Sequence, residues 1–432
     1  MRVFKPTNFL YYIRVIKLNL VDQMKSSLLI GCVGNPNFGD ETIMRVWIDK
    51  YKNSASSNII ICDGINNSNL RKYIDILGYK NINVIPNDLS LFSLGKYISY
   101  SDSGIRINNK KDFFSKISAI SKYLEDCGVN NIHMFGGGYI NSMWRHHLPI
   151  IVGSKLISDN INSTLFSTGQ GLIPWDKKLD PYLNVLMDFD KIDVRDISSL
   201  NVLPNHSGRQ NVSFSGDDAI LLFSNPQNFA IKEEKVPSLV MCLQNDLFQG
   251  SDLFSKILTE KNLAAIKSCG ISNVKIISAM QNDVKKLNER QAEIIKNTGF
   301  SVSYVDSDEL LKNGIPFHKE SFFLTSRYHI HLIAAFSGGK GFAFYQNKYY
   351  ENKHFSVKTM GSLWPVFDVK DFNFNDFGNL IANQIKNQTP FDEMVFKFWH
   401  DKKKKLAEEI FTQQFQKKYF SENIKSLLEF LV

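Results

Sequence analysis

Short apolar runs that alternate with helical patterns most constrain how this chain can fold. The first half contains seven strand-like runs, at 28–33, 58–62, 83–85, 132–135, 163–167, 192–194 and 212–214. Apolar strands that alternate with helices are typical of parallel βαβ units, in which helices cover both faces of one sheet. The first half is therefore predicted to form an α/β domain with a parallel sheet.

A polar stretch with two prolines, 224–237, separates this set from a second one. The second set has five strand-like runs, at 238–243, 274–277, 302–305, 322–324 and 342–345. A helical pattern rich in Lys, Glu, Phe and Leu covers 391–432. We predict an α/β chain of two Rossmann-like domains that face a cleft, with a C-terminal helical segment. The predicted boundaries are 1–225, 226–385 and 386–432.

Composition fits a globular protein of two or three domains and argues against several other classes. The 432 residues are 43% hydrophobic and 22% charged, and no run of 18 apolar residues predicts a transmembrane helix. The five cysteines are scattered and form no C-x-x-C pair, which argues for a reducing compartment and against a structural zinc site. A cytoplasmic location is therefore predicted.

The formal net charge of +8 favours an anionic partner. No basic patch interleaved with aromatic residues predicts nucleic acid binding, so an anionic substrate or an anionic membrane surface is favoured. The dense basic cluster at 402–405 is predicted to be the solvated face of a helix rather than a membrane contact. The mixed segment 1–20 is predicted to pack against the protein body, with a helix resting on a membrane as the alternative. The segment 88–111 is predicted to be a long loop or insertion.

An arginine and a histidine stand where a strand is predicted to end and a helix to begin. The apolar run 321–324 precedes Arg327 and His329, and the helical pattern 332–336 follows them. Backbone N–H groups at a helix start attract anions, an arginine fork suits carboxylate or phosphate, and histidine moves protons near neutral pH. The segment predicts an anion-binding and catalytic site. A surface arginine and a core histidine at an ordinary turn are the alternative.

A glycine-rich turn, 34–41, follows the first predicted strand. It lacks the G-x-G-x-x-G pattern of dinucleotide sites. Asp40 in this turn is either the N-cap of the next helix or an acid/base group that works on a hydroxyl. From the turn alone we favour the cap.

A second glycine-rich turn contains Gly136, Gly137 and Gly138, followed by Asn141. Three consecutive glycines are costly in chain entropy, which predicts a backbone that lies against a ligand. Trp144 is interpreted either as a stacking platform for a sugar ring or as a core residue. Two histidines that follow it, His146 and His147, are predicted to lie at the surface.

Three further segments carry charged residues after predicted strands. Arg195 is either a second anion clamp or part of a surface ion pair with a neighbouring Asp. Asp217 and Asp218 either bind a metal or terminate a strand, and we favour termination, with no metal site. Lys353 and His354 either add charge or protons to the Arg327 site or belong to a solvated loop.

Six of these segments, in order between residues 27 and 364, together resemble the polysaccharide pyruvyl transferase family. The matching segments are Asn37-Phe38-Gly39-Asp40-Glu41, Gly136-Gly137-Gly138-Tyr139-Ile140-Asn141, Val194-Arg195-Asp196, Gly216-Asp217-Asp218-Ala219, Ser326-Arg327-Tyr328-His329 and Tyr350-Glu351-Asn352-Lys353-His354. The family's usual Ser-Arg-Leu-His has Tyr328 in its third place here. This departure is mild, because the backbone at that position is expected to meet the donor.

The resemblance implies a fold like that of two-domain GT-B glycosyltransferases. It also implies phosphoenolpyruvate as donor, no cofactor, and a pair of sugar hydroxyls as acceptor in a surface polysaccharide or its precursor. A lipid-linked acceptor and peripheral contact with the inner membrane face are compatible with this activity. The implied catalytic residues are His329 and Asp40. The implied substrate-binding residues are Arg327, Tyr328, Arg195, Gly136, Gly137, Gly138, Asn141, Lys353 and His354.

Two alternatives to pyruvyl transfer stay open at this point. One is a GT-B glycosyltransferase that uses a nucleotide-sugar, since one fold supports many reactions. The other is a non-catalytic GT-B-like protein of polysaccharide biosynthesis. The presence of both Arg327 and His329 argues against the second alternative.

Overall fold

The computed structural model describes residues 26–53, 59–101, 104–224 and 229–412. The predictions for 1–20 and for the end of the C-terminal helical segment, 413–432, lie outside these ranges. Within them, no helix is both long and apolar enough to cross a bilayer. All five cysteines are free thiols, and Cys62 and Cys242 are buried in strands, as their apolar surroundings predict.

The first domain is built on a seven-stranded parallel sheet with the order β3-β2-β1-β6-β7-β8-β9. Its strands and an accompanying hairpin are β1 (Ser26–Ile30), β2 (Ile59–Asp63), β3 (Ile82–Val84), β4 (Ile98–Ser101), β5 (Gly104–Ile107), β6 (Val129–Met134), β7 (Thr164–Gln170), β8 (Lys191–Val194) and β9 (Val212–Phe214). Its helices are α1 (Phe38–Lys52), α2 (Asn67–Ile76), α3 (Lys110–Asp126), α4 (Pro149–Ile161), α5 (Asp180–Leu186) and α6 (Ile197–Val202).

The second domain is built on a six-stranded parallel sheet with the order β13-β12-β11-β15-β16-β17. The strands of this half are β10 (Ile231–Glu233), β11 (Leu239–Cys242), β12 (Asn273–Ile277), β13 (Ser301–Val305), β14 (Ile315–Phe317), β15 (Phe322–Thr325), β16 (Lys340–Tyr345) and β17 (Val366–Asp368). Its helices are α7 (Gly250–Ile257), α8 (Glu260–Lys267), α9 (Glu289–Asn297), α10 (Ser307–Asn313), α11 (Tyr328–Phe336), α12 (Lys348–Thr359), α13 (Phe377–Asn387) and α14 (Glu393–Thr412).

The central strands of both sheets are buried on their two faces, as the apolar runs predict, whereas the edge strand β13 is largely exposed. In β1, Leu28 and Ile30 point into one hydrophobic cluster and Leu29 into another, because successive side chains of a strand face opposite sides. Each sheet reverses its strand order once, between β1 and β6 and between β11 and β15. In such sheets, ligands bind beyond the carboxyl ends of the strands at the reversal point.

Of the two predictions for the segment 88–111, the long loop is wrong, because the segment is a structured insertion. It contains a short 3-10 segment, Leu91–Tyr97, and the antiparallel hairpin of β4 and β5. Leu91 and Leu94 are buried, so this insertion has its own apolar anchor on the first domain. Its weak periodicity follows from the short elements, each of which buries only one or two side chains.

Helix α14 ends the described chain by packing on the first domain. Trp399 lies against Phe214 with ring centroids 4.7 Å apart, and Phe411 lies against Tyr51 at 4.8 Å. The predicted C-terminal helix is thus confirmed within the described range. It connects the end of the second domain to β8, β9 and α1 of the first.

The prediction of a solvated basic cluster at 402–405 is wrong for Lys403. The Lys403 side chain is fully buried, and its Nζ donates to Asp193 Oδ2 at 2.6 Å and to Asp218 Oδ1 at 2.8 Å. The other three lysines of the cluster are exposed. A buried ammonium is tolerated here because two carboxylates compensate its charge.

Candidate functional site

The two order reversals face each other across a cavity of about 390 Å³. The first domain contributes the turns after β1, β6 and β8, and the second contributes the turns after β11, β12 and β15 together with the start of α12. Seven of the site residues proposed from the sequence line this cavity: Asp40, Gly138, Arg195, Arg327, Tyr328, His329 and Lys353. We call this cavity the interdomain cleft.

The start of α1 joins the two domains at the floor of the interdomain cleft. The Phe38 N–H donates to the Ala279 carbonyl of the second domain at 2.9 Å. Gly39 lies so close to His329 that a Cβ on it would come within 1.7 Å of Nδ1. A glycine at position 39 is therefore what allows the histidine of α11 to reach the first domain.

Asp40 is not the N-cap of α1, and the favoured reading of that residue is wrong. Asn37 caps the helix, since its Oδ1 accepts from the Gly39 N–H at 3.2 Å. Asn37 Nδ2 also donates to Asp40 Oδ2 at 2.6 Å. Burial raises the pKa of Asp40, although the nearby charges of His329 and Lys353 oppose the shift. The Asp40 carboxyl is thus held at the cavity wall with a raised pKa, which suits proton exchange with a hydroxyl.

Arg195 is buried in the cleft wall, so its ion pair with the neighbouring Asp196 is a buried pair and not the surface pair considered from the sequence. Its guanidinium lies over the Tyr328 ring, 4.9 Å from the centroid, so one residue from each domain forms this stack. Its Nη1 lies 3.8 Å from Asp217 Oδ2 and its Nε lies 3.5 Å from Asp196 Oδ2, although within the described chain Nε makes no hydrogen bond. Both ion pairs are longer than hydrogen bonds, so the guanidinium can still bind an anionic ligand in the cleft.

Asp217 was assigned to strand termination from the sequence, but it is fully buried next to two residues that line the cleft, Arg195 and His329. Its Oδ1 lies 3.6 Å from His329 Nε2, and it accepts the Ala219 N–H at 2.9 Å. Burial alone would raise the pKa of Asp217, yet His329 and Arg195 lower it to about 2. Asp217 therefore stays ionised beside His329. The doubled carboxylate after β9 was the sequence signal for this role.

Lys353 is not in a solvated loop but on α12, whose first turns line the cleft. Its Nζ lies 4.2 Å from the Tyr349 ring centroid and 5.2 Å from that of Tyr350. Burial lowers the pKa of Lys353 to about 8. Tyr349 is a site residue that the sequence reasoning missed. Its hydroxyl lies 3.0 Å from the place where a Cβ on Gly138 would stand.

Helix α11 begins at the cleft, where its N-cap residue Arg327 makes no capping hydrogen bond. The first N–H groups of such a helix attract anions. The Arg327 side chain is itself already bound, since its Nε donates to Asp283 Oδ1 at 2.7 Å and its Nη2 lies 3.6 Å from Asp246. Arg327 is thus a weaker candidate for an anion clamp than Arg195.

Several residues proposed for substrate binding do not reach the cleft. His354 is fully buried, with its Nδ1 3.1 Å from His331 Nδ1, and burial lowers its pKa to about 3. It is neutral and structural, which corrects the proposal that it adds charge or protons. Asn141 stabilises the glycine turn, because its Nδ2 donates to the Gly138 carbonyl at 2.8 Å and its Oδ1 accepts from Met143 N–H at 2.9 Å.

Gly136 and Gly137 lie behind the cleft wall and shape it. The Gly136 N–H donates to Asp218 Oδ2 at 2.8 Å, and Asp218 also accepts from Thr168 at 2.6 Å. Because Asp218 is paired with Lys403, helix α14 holds the glycine turn through this carboxylate. The C-terminal helix is therefore part of the framework of the site.

Aromatic side chains that follow the glycine turn also line the interdomain cleft. Trp144 lines the cavity and is 40% exposed, so the core interpretation of this residue is wrong. His146 lines the cavity as well. His147 is buried, with its ring 5.2 Å from Phe92, so the surface prediction for it is wrong. An exposed indole at a cleft rim is suited to stack on a sugar ring.

The described residues contain no group of three or more His, Cys, Asp or Glu side chains placed to hold a metal ion. Asp217 and Asp218, the carboxylate pair considered for this role, point to different partners. One faces His329 and the other Lys403.

No family model and no curated protein matches this sequence. Among solved structures, the protein assigned as a UDP-N-acetylglucosamine 2-epimerase from Listeria monocytogenes matches with a TM-score of 0.53 and 9% identity, over 92% of this chain and 99% of that one. UDP-GlcNAc 2-epimerase from Methanocaldococcus jannaschii gives a TM-score of 0.48 and 11% identity, over 89% and 100% of the two chains.

MurG from Acinetobacter baumannii gives a TM-score of 0.43 and 7% identity, over 88% of this chain and 99% of that one. At these sequence identities, structural similarity indicates a shared fold but not a shared reaction. The likeness to the Listeria protein and the two facing parallel sheets establish the GT-B fold for this chain, with a C-terminal helical segment.

Proposed function

We propose that this protein transfers a pyruvyl group from phosphoenolpyruvate to two hydroxyls of a sugar in a surface polysaccharide or its precursor. The observation that carries the proposal is the convergence of Arg195, Lys353 and the uncapped start of α11 on one cleft. Phosphoenolpyruvate has a phosphate and a carboxylate close together, and these two anions need separate cationic or N–H partners. The resemblance of the sequence to the polysaccharide pyruvyl transferases supports the same donor.

The reaction requires a balanced transfer of two hydroxyl protons. One proton goes to the donor methylene, which becomes the methyl group, and the neighbouring carbon becomes electrophilic. The first sugar hydroxyl adds to that carbon, the carbon–oxygen bond to phosphate breaks, and the second hydroxyl closes the ketal. The second proton leaves with phosphate. No oxidant and no cofactor enters this balance.

Asp40 and His329 are the groups assigned to these proton transfers. Asp40, with its raised pKa, accepts a proton from an acceptor hydroxyl. His329, whose Nε2 lies 3.6 Å from the ionised Asp217, delivers a proton to the donor methylene or contacts its phosphate. Arg195 balances the donor charge, and Trp144 stacks on the acceptor sugar.

A nucleotide-sugar enzyme is the second candidate. The observation in its favour is the fold shared with the Listeria protein assigned as a UDP-N-acetylglucosamine 2-epimerase. The fold allows either donor, so ligand binding must separate them. A non-catalytic role in polysaccharide biosynthesis is the third candidate.

Phosphoenolpyruvate is expected to raise the melting temperature of the full-length protein by a few degrees, and UDP-GlcNAc to leave it unchanged. Ligand at a hundredfold excess over Kd stabilises a folded protein by about 2.7 kcal/mol. Differential scanning fluorimetry over a concentration series measures the effect. Arg195→Met is expected to abolish the shift, while Arg145→Met, at a partly exposed ion pair with Asp176, is expected to keep it.

Saturable stabilisation by UDP-GlcNAc with no response to phosphoenolpyruvate would replace pyruvyl transfer by the nucleotide-sugar candidate. The non-catalytic candidate would be favoured by two results together. Neither ligand would change the melting temperature, and polymer pyruvylation would be unchanged in cells that carry Arg195→Met or His329→Ala.

Donor binding is expected to weaken as the pH rises through about 8. Burial lowers the pKa of Lys353 to about 8, so this ammonium is charged below that pH and neutral above it. A phosphate monoester is already mostly doubly ionised at pH 7. The rise in pH therefore changes the charge of Lys353 and not that of the donor. Calorimetric titration with phosphoenolpyruvate between pH 7 and pH 9 measures the dependence. In Lys353→Met, affinity at pH 7 should be lower and the fall above pH 8 absent. A wild-type Kd that stays constant over this range would contradict the role given to Lys353.

A further inference from the structure

Exposed apolar side chains gather where α12 and α14 come together. Met394 is 82% exposed and Phe398 is 59% exposed, both on α14. Val395 on the same helix, Phe355 on α12 and Leu363 in the segment that follows α12 are exposed as well. We call these five residues the apolar patch. Large apolar side chains that cluster at a surface indicate an interaction site, whereas scattered ones do not.

Hydrogen bonds and close packing join the two segments that carry the apolar patch. The Leu363 N–H donates to the Pro390 carbonyl at 2.9 Å. A Cβ on Gly361 would lie 3.4 Å from Val395 Cβ. Trp399 Nε1 donates at 3.0 Å to the carbonyl of Thr359, which stands one helical turn after Phe355. The five patch residues therefore lie on two segments that are packed directly against each other.

Lysines extend this surface along α14. Met394, Phe398, Lys402 and Lys405 are spaced by four, four and three residues, which places them on one face of the helix. Lys402 Nζ lies 5.8 Å from the Phe398 ring centroid, so the charge borders the apolar side chains directly. Asp401 is an exposed acid in the same region, and Lys397 and Lys404 are further exposed cations.

We propose that this face docks the protein on the surface of an anionic phospholipid bilayer. On an exposed helix face of this kind, the apolar side chains can contact the acyl chains of a bilayer, and the neighbouring lysines can contact its anionic headgroups. The net charge of +8 acts in the same direction. A second copy of this chain fits less well, because a symmetric contact would bring the lysines of both copies together.

The position of α12 links this surface to the interdomain cleft. Tyr349, Tyr350 and Lys353 of α12 line the cleft, and Phe355 of the same helix belongs to the apolar patch. One helix, about 10 Å in diameter, thus separates the cleft from the docking face. This arrangement brings the cleft near a membrane-bound acceptor.

Vesicle co-sedimentation of the full-length protein tests the inference without donor or acceptor. Vesicles of phosphatidylcholine mixed with phosphatidylglycerol are compared with phosphatidylcholine alone at low and high salt. Wild type is expected to bind the anionic vesicles at least about tenfold more tightly and to lose this preference at high salt. Met394→Ser/Phe398→Ser is expected to weaken binding by at least about tenfold. Val302→Ser/Tyr304→Ser, two exposed apolar residues on β13, should bind like wild type.

Wild type that does not bind anionic vesicles at low salt would overturn the inference, as would equal binding by Met394→Ser/Phe398→Ser. Self-association of wild type that the same variant abolishes, without vesicle binding, would assign the face to a second copy instead. Circular dichroism and melting temperature check that each variant is folded. Because no substrate is present, failure of the docking inference is distinct from failure of the proposed activity.

Discussion

Replacing Lys403 with methionine is expected to lower the free energy of unfolding by about 3–5 kcal/mol. Methionine has a similar length but removes the charge, and it leaves Asp193 and Asp218 without their shared cation. Both carboxylates are fully buried, and each also accepts hydrogen bonds from the first domain, for instance from Ser215 at 2.7 Å and Trp47 at 2.9 Å. Removing one partner of a buried ion pair is costly, because the remaining charge has no solvent to compensate it.

A neighbour on the same helix provides the matched control for Lys403. Lys404 is exposed, so Lys404→Met should change stability by no more than about 0.5 kcal/mol. Thermal unfolding followed by circular dichroism measures both variants. The triple variant Lys403→Met/Asp193→Asn/Asp218→Asn removes the uncompensated charges and is expected to recover part of the loss. Equal melting temperatures for Lys403→Met and Lys404→Met would show that the triad does not stabilise the fold.

The sequence predicted the two α/β domains because strand burial is a local property. Each apolar run between turns has the length and composition of a strand buried on both faces, whatever its neighbours are. The cleft followed from one further rule, that ligands bind beyond the carboxyl ends of parallel strands. Arg195 and Arg327 were named in this way, although 132 positions separate them in the sequence.

The roles of several charged residues could not be predicted, because their partners are distant in the chain. Lys403 is 210 positions from Asp193 and 185 from Asp218, so nothing near it distinguishes it from the exposed lysines around it. His354 meets His331 only once α11 and α12 have packed. Tertiary packing, and not local pattern, decides which member of a charged or polar run is buried.

Asp40 illustrates a different failure, in which two local rules compete. Asn37 and Asp40 are both good N-cap residues, and the sequence does not say at which one α1 begins. The helix begins at Phe38, about one turn before the start that an N-cap at Asp40 would give. The Phe38 N–H donates to the Ala279 carbonyl of the other domain. That interdomain contact frees the Asp40 carboxyl for the cleft.

Arg195→Met is expected to reduce kcat/KM for pyruvyl transfer by about 10²–10³, or roughly 3–4 kcal/mol of transition-state stabilisation. Arg195 is buried, stacked on Tyr328 and held near Asp217, so in the proposed complex water would screen its charge on the donor only weakly. Arg195→Lys should recover little of this loss, because an ammonium lacks the planar fork and cannot stack in the same way. Arg145→Met is the matched control, since Arg145 lies near the cleft but pairs with Asp176 in a partly exposed setting, and its loss should stay within about threefold.

The two substitutions also separate a catalytic role of Arg195 from a structural one. Gly171 approaches the Arg195 guanidinium so closely that a Cβ on it would lie 2.4 Å from Nη2, so the arginine fills space as well as carrying charge. Methionine retains most of that volume, so a purely structural role predicts a lower melting temperature with activity preserved at reduced temperature. A role in donor binding predicts the opposite, a folded protein whose phosphate release and polymer pyruvylation are lost at every temperature. Full activity in Arg195→Met would remove Arg195 from the proposed site and, with it, the main support for phosphoenolpyruvate as donor.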